Sequence, residues 1–555
     1  MRIAAVQCDP TIGDIAGNLE RLDRAASEAK GLGADVVFTS EMAVLGYPPR
    51  DLVLRAGVVE RCEAAVAELA KRHPDLLMVI GTPRRVQRNG RRLANSLAIC
   101  RDGRVEGFYD KRLLPTYDVF DEDRWFAPGD RTAVIDYKGE RFGLLVCEDL
   151  WGATDVHARR DYSIDPVAET IAAGATALLL ANATPFVLGK RARQSQRLTE
   201  IARHHRIPVL SCNQTGANDD LIFDGGSTLV DATGRIVESW PLFESCSRVV
   251  DLRGTSSPTP AAAREPERDV IDALVCGIRG YFRKTGHTRA TIGLSGGIDS
   301  ALVATLAAMA LGPSAVTGVM MPSRYSSDGS VSDAKALAAN LSLGRLLTLS
   351  ISDLHDRFQA HLTGALGAFA GLPDENLQSR LRGVTVMAVS NADGSLVLST
   401  GNKSEFAVGY ATLYGDMVGG MAPIGDVLKT QVYDLSRFLN AHFASFGLRV
   451  PPIPPASLSK PPSAELRPDQ TDQDSLPAYE DLDRVVTGWI EHEGDPNAIS
   501  QATGLSVAMV ARWCQSIDRA QFKRDQAPLV LKIAARTFGR GRPMPIAAQW
   551  QPLPK

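Results

Sequence analysis

Short apolar runs alternate with amphipathic stretches along the first half of the chain. Short apolar runs bounded by polar residues are typical of buried strands, whereas apolar positions repeated every third or fourth residue are typical of helices. The resulting alternation of strand and helix favours a layered α/β fold. Turn dipeptides at Asp102-Gly103 and Thr233-Gly234 each lie between two apolar runs and predict hairpins, so the sheet is expected to be mixed. The pattern predicts strands at 36–38, 77–80, 143–146, 177–180 and 208–210, and helices near 18–31, 57–72, 164–174 and 190–205.

The composition changes near the middle of the chain, where Pro, Ser and Thr accumulate at 252–260. Such a segment is typical of a linker between domains. We therefore predict a first domain at 1–252, a linker at 253–265 and a second domain at 266–555. Strand–helix alternation then resumes, with strands predicted at 290–292, 315–320, 346–349 and 396–398. Farther on, the segment 451–482 is rich in Pro, Asp, Gln and Ser and predicts a long irregular loop close to a site.

The charge and cysteine content argue against several classes of protein. The 555 residues carry a formal net charge of −3, which argues against nucleic-acid binding through a broad basic face. No apolar run approaches the ~18–20 residues that span a bilayer, and the polar residues after Gln7 predict a first strand rather than a signal peptide. The eight cysteines form no CxxC pair and no metal-binding spacing, so we expect a reduced, cytoplasmic protein without a zinc site.

A glycine-rich segment, Gly293-Leu294-Ser295-Gly296-Gly297-Ile298-Asp299-Ser300, lies between a predicted strand at 290–292 and a predicted helix at 301–310. Small, flexible residues allow backbone N–H groups to turn inward and meet a helix N-terminus, and this arrangement binds phosphate. The Asp299 carboxylate could hold a Mg²⁺ ion that bridges phosphate oxygens. No lysine follows the glycines, so this is not a Walker-type loop, and the glycine spacing differs from the dinucleotide-binding fingerprint. An ordinary strand-to-helix turn would use the same residue types, and the pattern alone favours neither interpretation.

The order Ser-Gly-Gly-Ile-Asp-Ser after a strand resembles the pyrophosphate loop of the ATP pyrophosphatases. Members of that group adenylate a carboxylate or carbonyl oxygen and release pyrophosphate. The resemblance favours a phosphate loop over a plain turn and implies that Ser295–Ser300 binds the phosphates of ATP. It leaves open which oxygen is activated and which nucleophile attacks next.

Three candidate chemical groups lie in the first half. Glu41 follows the strand predicted at 36–38, Lys111 lies in the stretch 109–122, and Cys147 follows the apolar run 143–146. Taken singly, a cysteine after an apolar run is usually a core residue, and a lone Glu or Lys is usually a solvated charge. Together, in this order and context, the three resemble the Glu–Lys–Cys triad of the nitrilase superfamily.

The nitrilase resemblance implies that Cys147 attacks a carboxamide carbon while Glu41 takes and returns the proton. The Lys111 ammonium and the backbone N–H after Cys147 would stabilise the oxyanion. Ammonia then leaves and water releases the acid. Glu122 is a candidate for a supporting second acid.

A nitrilase-like amidase joined to a pyrophosphatase-loop ligase resembles the glutamine-dependent NAD⁺ synthetases over essentially the whole chain. The resemblance implies an α/β fold in both halves: an N-terminal α-β-β-α sandwich, and a C-terminal domain with a doubly wound parallel sheet. It implies ATP-dependent amidation of deamido-NAD⁺ to NAD⁺ with ammonia from L-glutamine, through an adenylate, with release of AMP, pyrophosphate and glutamate. Related synthetases assemble at least as dimers, so a homo-oligomer is expected.

The same resemblance implies a set of ligand-binding residues. Tyr117, Thr184 and Lys190 match the glutamine pocket, with Thr184 standing where the family has serine. The residues matched to ATP are Gly293, Leu294, Ser295, Gly296, Gly297, Ile298, Asp299, Ser300, Thr400, Lys429 and Ser463; those matched to deamido-NAD⁺ are Asn376, Glu405 and Lys523, the last in a basic pair with Arg524; and those matched to Mg²⁺ are Asp299 and Glu405. Without the family, the segment 374–382 is explained equally well as a helix start capped by Asp374.

Other functions remain open. Another glutamine-dependent adenylating amidotransferase, such as a GMP or asparagine synthetase, would share the loop, but the Glu–Lys–Cys set argues against their types of glutaminase. A non-catalytic relative is disfavoured because the triad and the polar residues of the loop are intact. A stand-alone nitrilase would leave the motifs of the second half unexplained.

Overall fold

The computed structural model describes residues 1–88, 90–151, 162–254 and 264–550. The chain divides into two units, Met1–Arg264 and Glu265–Lys555. Residues 255–263 of the predicted linker lie outside the described part of the chain. Within that part, none of the helices combines the length and the apolar character needed to span a bilayer.

The first unit consists mainly of strands, and every strand and helix predicted in this half is present. The hairpin predicted at Asp102-Gly103 joins its fourth and fifth strands, and the one at Thr233-Gly234 joins its twelfth and thirteenth. The strands are β1 (Arg2–Gln7), β2 (Val36–Thr39), β3 (Leu77–Arg88), β4 (Arg91–Arg101), β5 (Arg104–Asp110), β6 (Val134–Tyr137), β7 (Glu140–Val146), β8 (Ala177–Asn182), β9 (Val209–Asn213), β10 (Thr215–Asn218), β11 (Leu221–Asp224), β12 (Thr228–Val230), β13 (Ile236–Ser239) and β14 (Cys246–Asp251). The helices are α1 (Ile15–Gly31), α2 (Val58–Arg72), α3 (Pro166–Ala172) and α4 (Lys190–His205).

These strands form two six-stranded mixed sheets, ordered β14-β1-β2-β3-β4-β5 and β13-β12-β9-β8-β7-β6, and a short β10-β11 pair. Ile3 and Ala5 of β1 share a core with Leu144 of β7, so these two sheets pack face to face. The intervening Ala4 packs into a second core with α1 and α2, and Leu145 packs into a third with α3 and α4. Because successive strand residues face opposite sides, both sheets are covered on both faces. The predicted α-β-β-α sandwich is confirmed.

The second unit contains a single sheet and many helices. The strands are β15 (Ala290–Gly293), β16 (Val316–Met320), β17 (Arg345–Thr348), β18 (Leu396–Leu398), β19 (Met421–Ala422) and β20 (Leu529–Val530). The helices are α5 (Pro266–Thr285), α6 (Ile298–Leu311), α7 (Asp328–Leu341), α8 (Ser352–Leu366), α9 (Leu372–Asp393), α10 (Lys403–Val408), α11 (Lys429–Ala441), α12 (Pro455–Ser459), α13 (Tyr479–Val486), α14 (Pro496–Thr503), α15 (Val507–Arg519) and α16 (Gln521–Arg524).

The sheet of the second unit is parallel throughout, in the order β17-β16-β15-β18-β19-β20. From β15 the chain continues to β16 on one side, while β18 lies on the other side. Ligands of such sheets bind at the carboxyl ends of the strands where the order reverses. The predicted doubly wound parallel sheet is confirmed, and the glycine-rich segment starts at this switch point.

Two local predictions in the second half are wrong in part. The segment 451–482 is not irregular throughout, because Pro455 begins the short helix α12 and Tyr479 begins α13. Proline is well suited to the first turn of a helix, where its missing N–H has no partner to lose. Asp374 does not cap a helix start, since α9 begins at Leu372 and the Asp374 carboxylate lies 2.8 Å from His355 Nε2.

Candidate active sites

The structure brings the three triad candidates of the first unit together at the carboxyl ends of strands. Glu41 follows β2, Lys111 follows β5 and Cys147 follows β7. The Lys111 Nζ donates to Glu41 Oε1 at 2.8 Å and to Glu122 Oε1 at 2.7 Å. Glu41, Lys111 and Glu122 are almost completely buried, and Cys147 is 9% exposed. The site therefore contains an ammonium group enclosed between two carboxylates, beside a thiol.

Burial and the neighbouring charges determine the protonation of these groups. Burial, with a further contribution from Glu41, raises the pKa of the Cys147 thiol to about 12. Burial alone would lower the pKa of Lys111, but Glu122 and Glu41 together raise it well above the ordinary value. Burial also raises the pKa of Glu122, although Lys111 acts against that rise. At rest the thiol is therefore neutral and the lysine is charged.

Three hydrogen-bond donors fix the orientation of the Glu41 carboxylate. Its Oε1 accepts from Lys111 and from Asn95 Nδ2 at 2.6 Å, and its Oε2 accepts the N–H of Ala183 at 3.0 Å. Cys147 has a φ of +43°, a left-handed conformation that is uncommon for a residue with a side chain. This sharp turn at a strand end resembles the elbow that exposes a nucleophile in other hydrolases.

Two of the predicted glutamine-pocket residues, Tyr117 and Lys190, act on a carboxylate that the sequence analysis missed, Glu148. Tyr117 donates its hydroxyl to Glu148 Oε2 at 3.0 Å, and Tyr162 donates to Glu148 Oε1 at 2.9 Å. Thr184 Oγ1 is 3.6 Å from Cys147 Sγ. Lys190 is the first residue of α4 and its charge lowers the pKa of Glu148, although burial dominates and raises that pKa to about 7. The sequence offered one signal for Glu148: it is a charged residue directly after the candidate cysteine that follows a buried strand.

In the second unit, the glycine-rich segment forms a tight turn from β15 into α6. Ser295 Oγ accepts the N–H of Gly297 at 3.2 Å, and Ser300 Oγ donates to the Gly297 carbonyl at 2.9 Å. Gly296 has a φ of +79°, and a Cβ placed there would lie 2.2 Å from the Ser330 carbonyl oxygen. Only glycine fits that position, and the turn leads directly into the N-terminus of α6.

One large cavity of about 630 Å³ lies over this turn. It is lined by all the residues predicted for ATP, deamido-NAD⁺ and metal except Gly296, whose backbone packs against Ser330. The predicted residues that line it are Gly293, Leu294, Ser295, Gly297, Ile298, Asp299, Ser300, Asn376, Thr400, Glu405, Lys429, Ser463 and Lys523. The cavity thus contains residues from the ends of β15 and β18 together with the segment after α12.

A lysine joins the two predicted metal carboxylates. Lys429 Nζ donates to Asp299 Oδ2 at 2.5 Å and to Glu405 Oε1 at 3.1 Å. Asn402 Nδ2 donates to Asp299 Oδ1 at 2.9 Å, and the Asn402 side chain also caps α10, which contains Glu405. Burial raises the pKa of Glu405 to about 8, despite the opposing effect of Lys429. Asn402 was missed by the sequence analysis, and nothing in its local pattern indicates this contact.

Asp472 is a third acidic group that the sequence analysis missed. It lies in the segment after α12, accepts from Tyr479 Oη at 2.8 Å and contributes to the raised pKa of Glu405. Burial raises the pKa of Asp472 itself. Asp299, Glu405 and Asp472 therefore act on one ammonium group, and the site has more carboxylates than cations.

The remaining predicted residues have protein partners at the cavity wall. Thr412 Oγ1 donates to Asn376 Oδ1 at 2.8 Å, and Ser463 Oγ donates to the Gln470 carbonyl at 2.5 Å. Lys523 Nζ donates to the carbonyls of Gly409 and Ala411, both at 2.7 Å. Arg524, the second member of the predicted basic pair, is buried and donates to the carbonyls of Phe406, Ala407 and Ile517. Arg524 is therefore part of the core rather than of the cavity.

Asp299 and Glu405 could supply two of the oxygen ligands of Mg²⁺, and the remaining ligands would come from phosphate and water. Among the described residues, no group of three or more His, Cys, Asp or Glu side chains could enclose a metal ion. Mg²⁺ is usually held by one or two carboxylates, with phosphate oxygens and water as its other ligands. Asp299 and Glu405 share one lysine, and burial raises the pKa of Glu405, so this pair would gain from a further cation.

Comparison with family models assigns a class to each half. A model for carbon-nitrogen hydrolases matches residues 2–254, and a model for NAD synthases matches residues 270–527. The chain therefore combines a carbon-nitrogen hydrolase with an NAD synthase.

Relatives of full length identify the family. The glutamine-dependent NAD⁺ synthetase of Synechocystis sp. is 42% identical to this chain and that of Acinetobacter baylyi is 38% identical, each over 99% of both chains. A solved glutamine-dependent NAD⁺ synthetase from Acinetobacter baumannii, in complex with ADP, is 35% identical over 98% of both chains, with a TM-score of 0.77. This chain belongs to the glutamine-dependent NAD⁺ synthetase family.

Proposed function

We propose that this chain makes NAD⁺ by amidating deamido-NAD⁺, with ATP as co-substrate and L-glutamine as the source of ammonia. The observation that carries the proposal is the presence of two complementary sites on one chain of this family. One site has a buried thiol beside a Glu–Lys–Glu set, and the other has a phosphate-type turn with two carboxylates. The first is suited to releasing ammonia from an amide, and the second to activating a carboxylate.

In the first site, Cys147 is the nucleophile and Glu41 is its base. Because burial keeps the thiol neutral, Cys147 must lose its proton as the sulfur attacks the amide carbon of glutamine. Glu41 takes that proton and gives it to the departing ammonia. Lys111 and the backbone N–H of Glu148 stabilise the tetrahedral oxyanion. A water molecule activated by Glu41 then cleaves the thioester and releases glutamate.

Glu122 supports Lys111 in this scheme. Its Oε1 accepts from Lys111 Nζ at 2.7 Å and from Tyr47 Oη at 2.7 Å, so the ammonium and the hydroxyl donate to the same oxygen. A second carboxylate keeps the lysine protonated in a buried site, where burial alone would favour the neutral amine. The lysine charge is then available to the oxyanion throughout the reaction.

Glu148 recognises the α-ammonium group that distinguishes glutamine from simple amides. It is a buried carboxylate next to the nucleophile, and two tyrosine hydroxyls donate to it. Tyr117 donates to this carboxylate, Thr184 contacts the Cys147 sulfur, and the Lys190 ammonium is suited to the α-carboxylate of glutamine. The α-ammonium group of glutamine would thereby pair with Glu148, and its α-carboxylate with Lys190.

In the second site, the turn Gly293–Ser300 and the N-terminus of α6 bind the phosphates of ATP. The nicotinate carboxylate oxygen of deamido-NAD⁺ attacks the α-phosphorus, and pyrophosphate leaves. Ammonia then attacks the carbonyl carbon of the adenylate and AMP leaves. Lys429, Thr400 and Ser463 contact ATP, and Asn376, Glu405 and Lys523 contact the dinucleotide. These residues position reactants and neutralise charge rather than form covalent bonds.

Asp299 and Glu405 would hold Mg²⁺ on the phosphates. When bound, the ion would neutralise negative charge that the single ammonium of Lys429 leaves in the site. Asn402 donates to Asp299 and caps the start of α10, and both Asp299 and Glu405 line the cavity.

Two further properties are proposed on separate grounds. Apolar side chains on α8 and α9 are exposed, including Phe358, Val384 and Met387, which supports a homo-oligomer. The eight cysteines are all unpaired, which supports residence in a reducing compartment such as the cytoplasm. Light scattering and cell fractionation test these two points.

The decisive experiment measures NAD⁺ formation from deamido-NAD⁺ and ATP with glutamine and with ammonia, side by side. We expect both to support synthesis, with AMP and pyrophosphate as products. In the Cys147→Ala variant, glutamine should fail while ammonia still works, and in Asp299→Ala neither should work. Formation of ADP and phosphate, or of no NAD⁺ from either nitrogen source, would refute the proposed function.

A further inference from the structure

A fully buried carboxylate in the first unit, Asp149, is not used by the chemistry proposed above. Four donors converge on it. Its Oδ2 accepts the N–H of Val146 at 3.0 Å and the hydroxyl of Tyr109 at 2.8 Å. Its Oδ1 accepts the N–H of Arg112 at 3.0 Å and the N–H of Leu113 at 2.9 Å. Three of the four donors are backbone N–H groups, so these bonds hold the backbone in place at Val146 and at Arg112–Leu113.

The four donors belong to two segments that hold reacting groups. Val146 directly precedes Cys147, whereas Arg112 directly follows Lys111. One oxygen of Asp149 therefore holds the turn that presents the thiol, and the other holds the chain that presents the ammonium group. A single carboxylate thus connects the nucleophile to the group proposed to stabilise its oxyanion.

The turn at Cys147 needs such support. A residue with a side chain at a φ of +43° is strained, and such conformations persist only where surrounding contacts determine them. The bond from Val146 closes the turn Cys147–Leu150 at its start, because Asp149 is the third residue of that turn. Without it, the turn could relax and move the sulfur away from Lys111 and Glu41.

We propose that Asp149 is a positioning residue, which sets the placement of the Cys147 thiol relative to the Lys111 ammonium by bonding the backbone on both sides. The inference rests on the proposed hydrolysis of glutamine in this unit. Asp149 touches no reacting atom, and its effect passes through the two segments that it joins.

Asparagine at this position is a sharp test because it has nearly the same volume. Its side chain offers an acceptor at one end and an N–H donor at the other. In either orientation, the donor end faces N–H groups that are themselves donors. Asp149→Asn should therefore release one of the two segments while leaving the core filled.

Two variants frame this test. Tyr109→Phe removes one of the two donors to Oδ2 and keeps the three backbone bonds. Asp110→Asn changes another buried aspartate beside Lys111, whose carboxylate accepts from Arg84, Arg88 and Ser96 of β3 and β4. If buried aspartates here served only stability, Asp110→Asn and Asp149→Asn should lower glutaminase activity alike.

The experiment uses the full chain and three readouts: glutamine hydrolysis, ammonia-dependent NAD⁺ synthesis, and alkylation of Cys147 by iodoacetamide, followed by peptide mass spectrometry. Fully buried Cys212 reports loss of the native fold in the same digests. For Asp149→Asn we expect kcat with glutamine to fall about 100-fold, the usual effect of a misplacement near 1 Å. Cys147 alkylation should slow as well, while ammonia-dependent synthesis and Cys212 protection stay at wild-type level.

For Tyr109→Phe we expect a fall in kcat of about 5-fold, equivalent to one hydrogen bond. Asp110→Asn should lower the melting temperature and keep kcat with glutamine. Wild-type kcat and alkylation in Asp149→Asn would overturn the proposal. So would exposure of Cys212 in Asp149→Asn combined with unchanged kcat in Tyr109→Phe, since Asp149 would then serve the fold alone. A wild-type chain that does not hydrolyse glutamine would instead refute the proposed function.

Discussion

Glu148→Gln tests how the first unit selects glutamine. Glu148 is buried next to Cys147 and is bound by the hydroxyls of Tyr117 and Tyr162. The proposed role of its carboxylate is to bind the α-ammonium group of the substrate. Glutamine at this position keeps the shape of the side chain and removes the charge, so the variant isolates the ionic contact.

The size of the effect follows from the burial of the contact. Removing one partner of a buried, hydrogen-bonded charge pair costs about 2–5 kcal/mol. The two tyrosines remain as partners for the new amide, so the lower part of that range applies, and about 2–3 kcal/mol corresponds to a loss of roughly 30–150-fold in kcat/KM for glutamine.

The pKa of Glu148 adds a dependence on pH with a definite sign. Burial raises this pKa to about 7, and only the ionised carboxylate attracts an ammonium group. The ionised fraction rises with pH, so kcat/KM for glutamine should rise about tenfold between about pH 6 and pH 8 in the wild type. Glu148→Gln has no such group to titrate, and its profile should be flatter over the same interval.

The assay compares glutamine with a simple aliphatic amide, such as propionamide, which lacks the α-ammonium group. Glutamine hydrolysis should fall in Glu148→Gln, whereas hydrolysis of propionamide and ammonia-dependent NAD⁺ synthesis should keep their wild-type rates. If both amides were affected equally, Glu148 would act on the nucleophile rather than on substrate selection. A wild-type profile for glutamine that is flat through pH 7 would also refute the reasoning.

Three further changes have expected outcomes. Lys111→Met leaves the carboxylate of Glu122 buried without its cation, so glutaminase activity should vanish and the free energy of unfolding should fall by about 3–5 kcal/mol. Thermal unfolding measures that loss. Adding Glu122→Gln should restore part of the stability and none of the activity. Gly296→Ala places a methyl group against the carbonyl of Ser330, so ammonia-dependent synthesis should fail while glutamine hydrolysis continues. Because the pKa of Glu405 is about 8, Mg²⁺ must displace a proton, and the Mg²⁺ concentration for half-maximal synthesis should fall as the pH is raised through 8.

The fold was predictable from the sequence because strand and helix patterns reflect local burial. The apolar run at 143–146 became the buried end of β7, and the dipeptide Asp102-Gly103 became the β4–β5 turn. The segment 451–482 was predicted less well, since its polar composition masks two helix starts that depend on Pro455 and on packing around Tyr479.

The site could be predicted where chemistry coincides with a strand end. Glu41 and Cys147 each follow a buried strand, and the family resemblance supplied their pairing with Lys111. The contact from Asn402 to Asp299 joins residues that are far apart in the chain, and so does the contact from Asp149 to Leu113. Such contacts arise from tertiary packing and do not affect the spacing of apolar residues from which the elements were predicted. The roles of the individual residues stay predictions until the variants are measured.

The balance of charge explains why the two sites are suited to different chemistry. In the first site, the carboxylates of Glu41 and Glu122 hold the ammonium of Lys111. Burial keeps the neighbouring Cys147 thiol neutral, so the site is suited to taking a proton from that thiol as it attacks. In the second site, Asp299, Glu405 and Asp472 act on the ammonium of Lys429, and burial raises the pKa of Glu405 to about 8. A divalent cation would displace the proton of Glu405, so the second site is suited to holding a metal ion on the phosphates of ATP.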